Sequence, residues 1–174
     1  MEIEIRDRIM KGRSMIRMLN GFLRDKQIFK TTKINIYKSL VLSVITYGAE
    51  VWVLNSTFKY KLESTEMDFL RRSVRCSKLD KVRNEDIRKN MDCQNSIVDC
   101  IHNKQLTWYG HVRRTEEDRP QILKWIPAGR KRKGRPRTTW IEEVTKAMEH
   151  KGLTEEDCRD RTEWRRKLWA QEDA

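Results

Sequence analysis

The residues with the clearest chemical purpose in this chain are cations. From Arg119 to Arg137 the sequence RPQILKWIPAGRKRKGRPR holds eight Lys or Arg and no acid, and much of the net charge of +12 lies in this one segment. Arg130, Lys131, Arg132, Lys133, Arg135 and Arg137 surround Gly134 and Pro136, two residues hostile to helix, so the strip should be extended and solvent-facing. Such a strip fits a row of phosphates. Each Lys or Arg that meets a phosphate releases condensed counterions, so affinity for duplex DNA should fall by about 0.9 log unit per log unit of salt for every contact. The plainer reading is a solvated loop that keeps the protein soluble.

Two further groups of cations can extend the track. Arg71, Arg72, Arg75 and Lys78 end a helix that begins near Phe58. Cations in the last turns of a helix also suit its dipole, so structural and nucleic-acid readings both stand for them. Arg113 and Arg114 close a later helix. Trp108, Trp125, Trp140, Trp164 and Trp169 all lie in the C-terminal half beside Arg or Lys. Aromatics interleaved with cations can stack bases while the cations hold phosphates. Trp140, Trp164 and Trp169 read as core, whereas Trp125, inside the strip, is the stacking candidate.

Catalytic constellations are missing from the sequence. It has no Gly-rich phosphate loop, no H-E-x-x-H, no G-x-S-x-G and no paired-aspartate strand of the kind that holds two magnesium ions. Cys93, Cys100, His102 and His111 form the tightest ligand-type cluster, but their spacing matches no common zinc module. On one helix Cys100 and His102 would face different ways, so the cysteines read as small core residues and His111 as a hydrogen-bonded packing residue. Glu50, an acid in the apolar run Tyr47-Gly48-Ala49-Glu50-Val51-Trp52, should need a cation, with Arg71, Arg72, Arg8 or Arg17 in reach. Gly48 reads as a close helix contact.

The elements that must position these residues read as helices. With seven Gly, three Pro and apolar residues at helical spacing, the fold class is all-α. A first amphipathic helix runs from about Glu4 to Asp25 with Ile5, Ile9, Ile16, Leu19, Phe22 and Leu23 on its inner face. Thr31 and Thr32 offer N-caps for a long central helix, INIYKSLVLSVITYGAEVWVL. Asn55-Ser56-Thr57 breaks it and caps a third helix from Phe58 to about Cys76, with Leu62, Phe69, Leu70 and Val74 inward. A short helix over Asn84 to Met91 and a stronger one opening near Asn95-Ser96 follow. Thr138-Thr139 precede a helix from about Trp140 to His150, Lys151-Gly152 stops it, and a last helix starts at Thr154-Glu155-Glu156-Asp157.

At 174 residues, 37% hydrophobic and 37% charged, the core should be modest. Scattered Cys76, Cys93, Cys100 and Cys158 form no C-x-x-C pair and imply a reducing compartment, nuclear or cytoplasmic. MEIEIRDRIM has no apolar h-region, so secretion is not expected. The apolar run from Ile34 to Leu54 carries Lys38 and Glu50, each costing about 2.5–3.5 kcal/mol at mid-bilayer, so no membrane partner is expected.

The combination IYKSLVLSVITYGAEVW, LTWYGHVRR, GRKRKGRPRTTW and DRTEWRR, in that order, resembles the C-terminal part of the endonuclease and reverse transcriptase polyprotein of LINE-type (non-LTR) retrotransposons, over about Ile5 to Arg166. The resemblance implies that residues 1–80 are a thumb-like helical bundle and that 81–174 form a basic helical C-terminal region exposing the strip 119–137. Family members are RNA-directed DNA polymerases that copy their own RNA at a nicked chromosomal target, and the intact enzyme would use magnesium. The palm aspartates, the fingers, the endonuclease and the Cys/His knuckle of some relatives have no counterpart here. The expectation is therefore a remnant or truncated product, not an enzyme as it stands, with no cofactor of its own. Tyr47, Gly48, Glu50 and Trp52 match the thumb pattern; Gly110, His111, Arg113, Gly134, Arg135, Pro136 and Trp140 match the C-terminal signature.

The sequence thus points to a non-catalytic nucleic-acid-binding chain that grips RNA or DNA and takes no small-molecule substrate. Its expected contacts are Arg71, Arg72, Arg75, Arg113, Arg114, Trp125, Arg130, Lys131, Arg132, Lys133, Arg135 and Arg137. A rival is an AT-hook-like binder, because Gly134-Arg135-Pro136-Arg137 can lie in the narrow minor groove of A·T tracts. Another is a protein-interaction bundle or inert product whose basic run is a nuclear-import signal.

Overall fold

The computed structural model describes residues 1–115 and 138–169, so the strip residues Trp125, Arg130, Lys131, Arg132, Lys133, Arg135 and Arg137, with Gly134 and Pro136, lie outside the described residues. Among the described residues the fold is all-α, with no strand. None of their helices is long and apolar enough to cross a membrane. The chain divides into two compact units, one formed by Met1–Gly48 and Leu54–Cys100, the other by Ala49–Val53 and Ile101–Ala174.

In the first unit, α1 (Glu2–Met18) buries Ile5, Ile9, Gly12 and Ile16, spaced three to four apart on one face. The single helix expected to Asp25 breaks at Leu19, and a short α2 (Asn20–Arg24) follows with Leu23 inward. Helix α3 (Lys30–Ile36) starts after Phe29 without a side-chain cap, so Thr31 and Thr32 lie inside it rather than capping it. A π-helical segment, Tyr37–Leu42, and a last turn, α4 (Ser43–Ile45), continue it.

The expected central helix to Leu54 therefore stops nine residues early. Its end is marked by Gly48 at φ +70, a left-handed conformation in which glycine alone carries no steric penalty. Nothing lies within 4 Å of the place a Gly48 Cβ would occupy, so this glycine is a chain reversal and not a helix contact. The close contact is Gly12, where a methyl group would overlap the Ile45 side chain.

Helix α5 (Ser56–Val74) is capped by Asn55, whose side chain accepts from Phe58 N at 2.8 Å. It buries Phe58, Leu62, Phe69 and Leu70, with Val74 half-buried, and the Phe69 and Tyr37 rings stand 4.9 Å apart. Helix α6 (Asn84–Met91) turns Ile87 and Met91 inward, and α7 (Ile97–Arg114) opens after Ser96, whose hydroxyl and amide both bond Asp99.

A buried ion pair holds this unit together. Glu66, 1% exposed, accepts from the Tyr37 hydroxyl at 3.0 Å, from Ile97 N at 3.2 Å and from the Arg88 guanidinium. The odd carboxylate of the fold is thus Glu66 and not Glu50. Glu50 is half-buried in the 3-10 turn Ala49–Val51, where its carbonyl accepts from Trp140 Nε1 at 2.8 Å. Arg8, one of its expected partners, lies 4.4 Å over the Tyr47 ring.

In the second unit, α8 (Trp140–His150) begins at a capping box between Thr139 and Glu142. It ends with Gly152 at φ +63 and Leu153 N bonded back to Met148 O at 2.9 Å. The segment Thr154–Asp157 leads into a 3-10 turn, Glu156–Arg159, instead of the expected helix. Asp160 then accepts from Thr162 N at 2.7 Å and caps α9 (Arg161–Trp169). Trp164 is 1% exposed and donates to Leu106 O at 3.1 Å; a methyl group on Gly110 would overlap its indole. Trp140 packs only partly buried against this core, and Trp169, expected inside, is 42% exposed.

Candidate nucleic-acid interface

In the first unit the candidate interface is built where two helices end. Helix α5 closes with Arg75 in the left-handed conformation at φ 60, Cys76 N bonding Arg71 O at 2.9 Å and Arg75 N bonding Arg72 O at 3.1 Å. This is the two-bond closure that usually employs glycine, so Arg75 occupies a position its Cβ disfavours. Helix α2 ends close by. Lys33, 4% exposed on α3, donates to Leu23 O at 2.7 Å, Asp25 O at 2.8 Å and Ser73 O at 3.3 Å. One ammonium therefore covers carbonyls at the C-terminal ends of both α2 and α5. Burial pushes the Lys33 pKa down, and the nearby Arg75 charge pushes it the same way.

Arg71 and Arg72 also build this corner. Arg71 donates to Ser77 O at 3.1 Å, Val82 O at 2.8 Å and Asn84 Oδ1 at 2.9 Å, which fastens the loop after α5 to the helix. Arg72 pairs with Asp68 at 3.0 Å and donates to Asn20 Oδ1 at 2.7 Å, which fastens α2 to α5. The outcome is a recess of about 370 Å³ whose lining includes Arg24, Arg71, Arg72, Arg75, Lys78 and Asp68. Arg24, Arg75 and Lys78 are exposed, and among the described residues their side chains have no hydrogen-bond or ion-pair partner.

Arg113 and Arg114 sit in a different chemical setting in the second unit. Arg113 pairs with Glu155 and lies 5.7 Å over the Tyr109 ring, while Arg114 donates to Cys158 O at 2.8 Å. Together with Glu155, Glu156, Cys158 and Arg159 they line a concavity of about 790 Å³ in which acids offset the cations. Burial, opposed by the Arg113 charge and helped by the hydrogen bond to Glu155, pushes the Tyr109 hydroxyl up to about 12. This corner is a structural clasp more than an open cationic face.

Cys93, Cys100, His102 and His111, the ligand types weighed in the sequence, form no metal site among the described residues, where no group of three His, Cys, Asp or Glu could hold a metal ion. Cys93 and Cys100 are half-buried in the first unit and Cys158 is buried in the second, its thiol pushed up to about 11 by burial. His111 is exposed rather than packed in a core, its ring 5.6 Å from that of Trp108, which is itself 41% exposed.

Of the expected contacts, Arg71, Arg72 and Arg75 are brought together with Lys78 at the recess. Arg24 joins them from a helix that ends 47 residues before Arg71, and sequence reasoning missed it. A basic residue in the last turn of α2 was the available signal.

Compared with known proteins, the chain is 28% identical over 156 residues to a Caenorhabditis elegans protein described as transposon-derived, covering 82% of this chain and 54% of that one. It spans about half the length of the curated relative it matches. No family model matches the chain. No solved structure matches it significantly.

Proposed function

We propose that the protein is a transposon-derived, non-catalytic nucleic-acid-binding chain, related to the C-terminal part of a non-LTR RNA-directed DNA polymerase and gripping RNA or DNA through phosphate contacts. The observation that carries this reading is the segregation of charge: eight Lys or Arg and no acid between Arg119 and Arg137. A polyanion is the partner such a run is suited to. The exposed Arg24, Arg75 and Lys78 at the recess support it, as does the similarity to a protein described as transposon-derived. Contacts of this kind read charge and shape before base sequence.

The test is binding to labelled single-stranded RNA, an RNA hairpin, and A·T-rich and G·C-rich duplexes across a salt series. A control carries Gln at Arg130, Lys131, Arg132, Lys133, Arg135 and Arg137. The expected result is binding that weakens with salt by about 0.7 log unit per contact on single strands and about 0.9 on duplex, with both affinity and slope reduced in the control. A marked preference for A·T-rich duplex would move the reading to a minor-groove hook. No binding at low salt to any of the four would refute it.

A further inference from the structure

The recess between the ends of α2 and α5 has properties that a merely solvated cluster of arginines does not need. Among the described residues its wall holds five cations and one carboxylate, and that carboxylate, Asp68, is already paired with Arg72 at 3.0 Å. Helix C-termini ordinarily repel anions, because their last carbonyls carry the negative end of the dipole. Here several of those carbonyls are taken by other donors: Lys33 bonds Leu23 O and Ser73 O, Cys76 N bonds Arg71 O and Arg75 N bonds Arg72 O. The helix ends beside the recess are thus tied up by internal bonds, while the exposed Arg24, Arg75 and Lys78 have no side-chain partner among the described residues.

Size narrows the ligand. A volume of about 370 Å³ lies near the lower end for small-ligand sites, closer to one phosphorylated group than to a length of continuous strand. A phosphate monoester carries about −1.5 to −2 charge near neutral pH, against one for each diester inside a strand. Several open cations around one recess discriminate in favour of the doubly charged group. We infer that this recess binds the terminal phosphate monoester of a nucleic-acid strand, with Arg24, Arg75 and Lys78 as its contacts. The inference rests on the nucleic-acid reading above and names the group that this corner recognises.

The experiment uses the full chain and a 12-nucleotide RNA labelled at its 3′ end, carrying either a 5′-phosphate or a 5′-hydroxyl. The phosphorylated strand is expected to bind about tenfold more tightly, the worth of one charge-assisted hydrogen bond. The double variant Arg24→Gln/Arg75→Gly should bring that ratio to about one. Glycine at position 75 accepts the left-handed backbone, so the cation is removed without strain, and a thermal melt checks the fold. Gln at the six strip cations should weaken both strands alike and leave the ratio intact. The ratio should also shrink below about pH 6, where the monoester dianion takes up a proton and becomes singly charged.

Equal binding of the two strands by the unaltered protein overturns the recess assignment and leaves the nucleic-acid reading standing. A ratio that survives in the double variant also overturns it. Uridine monophosphate displacing the RNA as well as an unlabelled 5′-phosphorylated strand does would assign the recess to free nucleotides, and so overturn it too. Loss of binding to both strands at low salt defeats the nucleic-acid reading itself.

Discussion

Arg88→Ala should damage the first unit more than any surface substitution, and the damage should depend on pH in a defined direction. Glu66 is 1% exposed and has three donors: Tyr37 at 3.0 Å, Ile97 N at 3.2 Å and Arg88. Removing the guanidinium leaves a buried carboxylate with two neutral donors. Breaking a buried pair in this way costs about 3–5 kcal/mol, a large share of the roughly 5–15 kcal/mol that holds a domain. With an m-value of about 2 kcal/mol per molar urea, the midpoint should fall by about 2 M. Glu66→Gln keeps the shape but leaves the largely buried Arg88 guanidinium without its counter-charge and turns an NH2 toward donors, so it too should cost about 3 kcal/mol.

Burial raises the Glu66 pKa, while the Arg88 charge and hydrogen bond and the bonds from Ile97 and Tyr37 pull it down. Without Arg88 it should rise further. An acid whose folded value lies above its unfolded value, about 4.3, contributes stability that is fully present below the unfolded value and lost as pH rises through the folded one. The cost of Arg88→Ala should therefore be smallest near pH 4 and grow toward pH 7. Urea titrations followed by far-ultraviolet circular dichroism at both pH values decide the matter. A loss under about 1 kcal/mol at pH 7 would refute the buried-charge argument, and an equal loss at both pH values would show that packing, not charge, is what Arg88 supplies.

Gly110→Ala places a methyl group against the Trp164 indole and threatens its bond to Leu106 O, so it should cost about 1–3 kcal/mol; a thermal melt with the near-ultraviolet tryptophan signal checks it. Thr139→Ala removes the acceptor that caps α8 and should cost about 1 kcal/mol, read as a lower melting temperature of the second unit. Asp157 is held down to about 2, first by the hydrogen bond from Lys167 and then by those from Thr154 N and Oγ1. Its folded value lies below its unfolded one, so its contribution is present above about pH 3.9 and is lost as pH falls through the folded value. Asp157→Asn should thus lower the melting temperature at pH 7 and have little effect near pH 2, as scanning fluorimetry at the two values would reveal.

The elements that could be read from the sequence are those whose limits are written locally. Helix α6 runs from Asn84 to Met91 and α8 from Trp140 to His150 as expected, because the capping box at Thr139 and the stop at Gly152 act within a few residues of themselves. The expected central helix runs too far because an apolar run such as Ile34 to Leu54 has the same composition whether its second half is helical or irregular and buried, as Trp52 and Leu54 are. Gly48 held the needed signal, since a glycine after the last helical turn is a common stop.

The interior ions were not legible at all. Glu66 lies in the polar run Ser64-Thr65-Glu66 and looks solvated, and its partner Arg88 is 22 residues away on another helix. Lys33 looks like any surface lysine until the ends of α2 and α5 are brought to it. Both are products of tertiary packing, which single-sequence periodicity does not carry. The candidate site divides in the same way: Arg71, Arg72 and Arg75 were visible as a run, whereas Arg24 enters only through the meeting of helix ends.

That division changes how loss of binding should be read in this protein. Arg71 has two acceptors in the loop after α5 and one at the first residue of α6, and Arg72 has one on α2 and one on its own helix. Neutralising either removes a fastening, leaves carbonyls to find water, and alters the shape of the recess that Arg75 and Lys78 share. Neutralising Arg75 or Arg24 removes charge and leaves every internal bond in place. The two kinds of variant can show the same loss of affinity for different reasons. They are separated by stability: an Arg71 variant should lose melting temperature and affinity together, whereas Arg75→Gly should keep or raise the melting temperature while affinity falls. Cations that face the same recess are therefore not equivalent, and the ones with no side-chain partner among the described residues are those whose loss reports on the ligand.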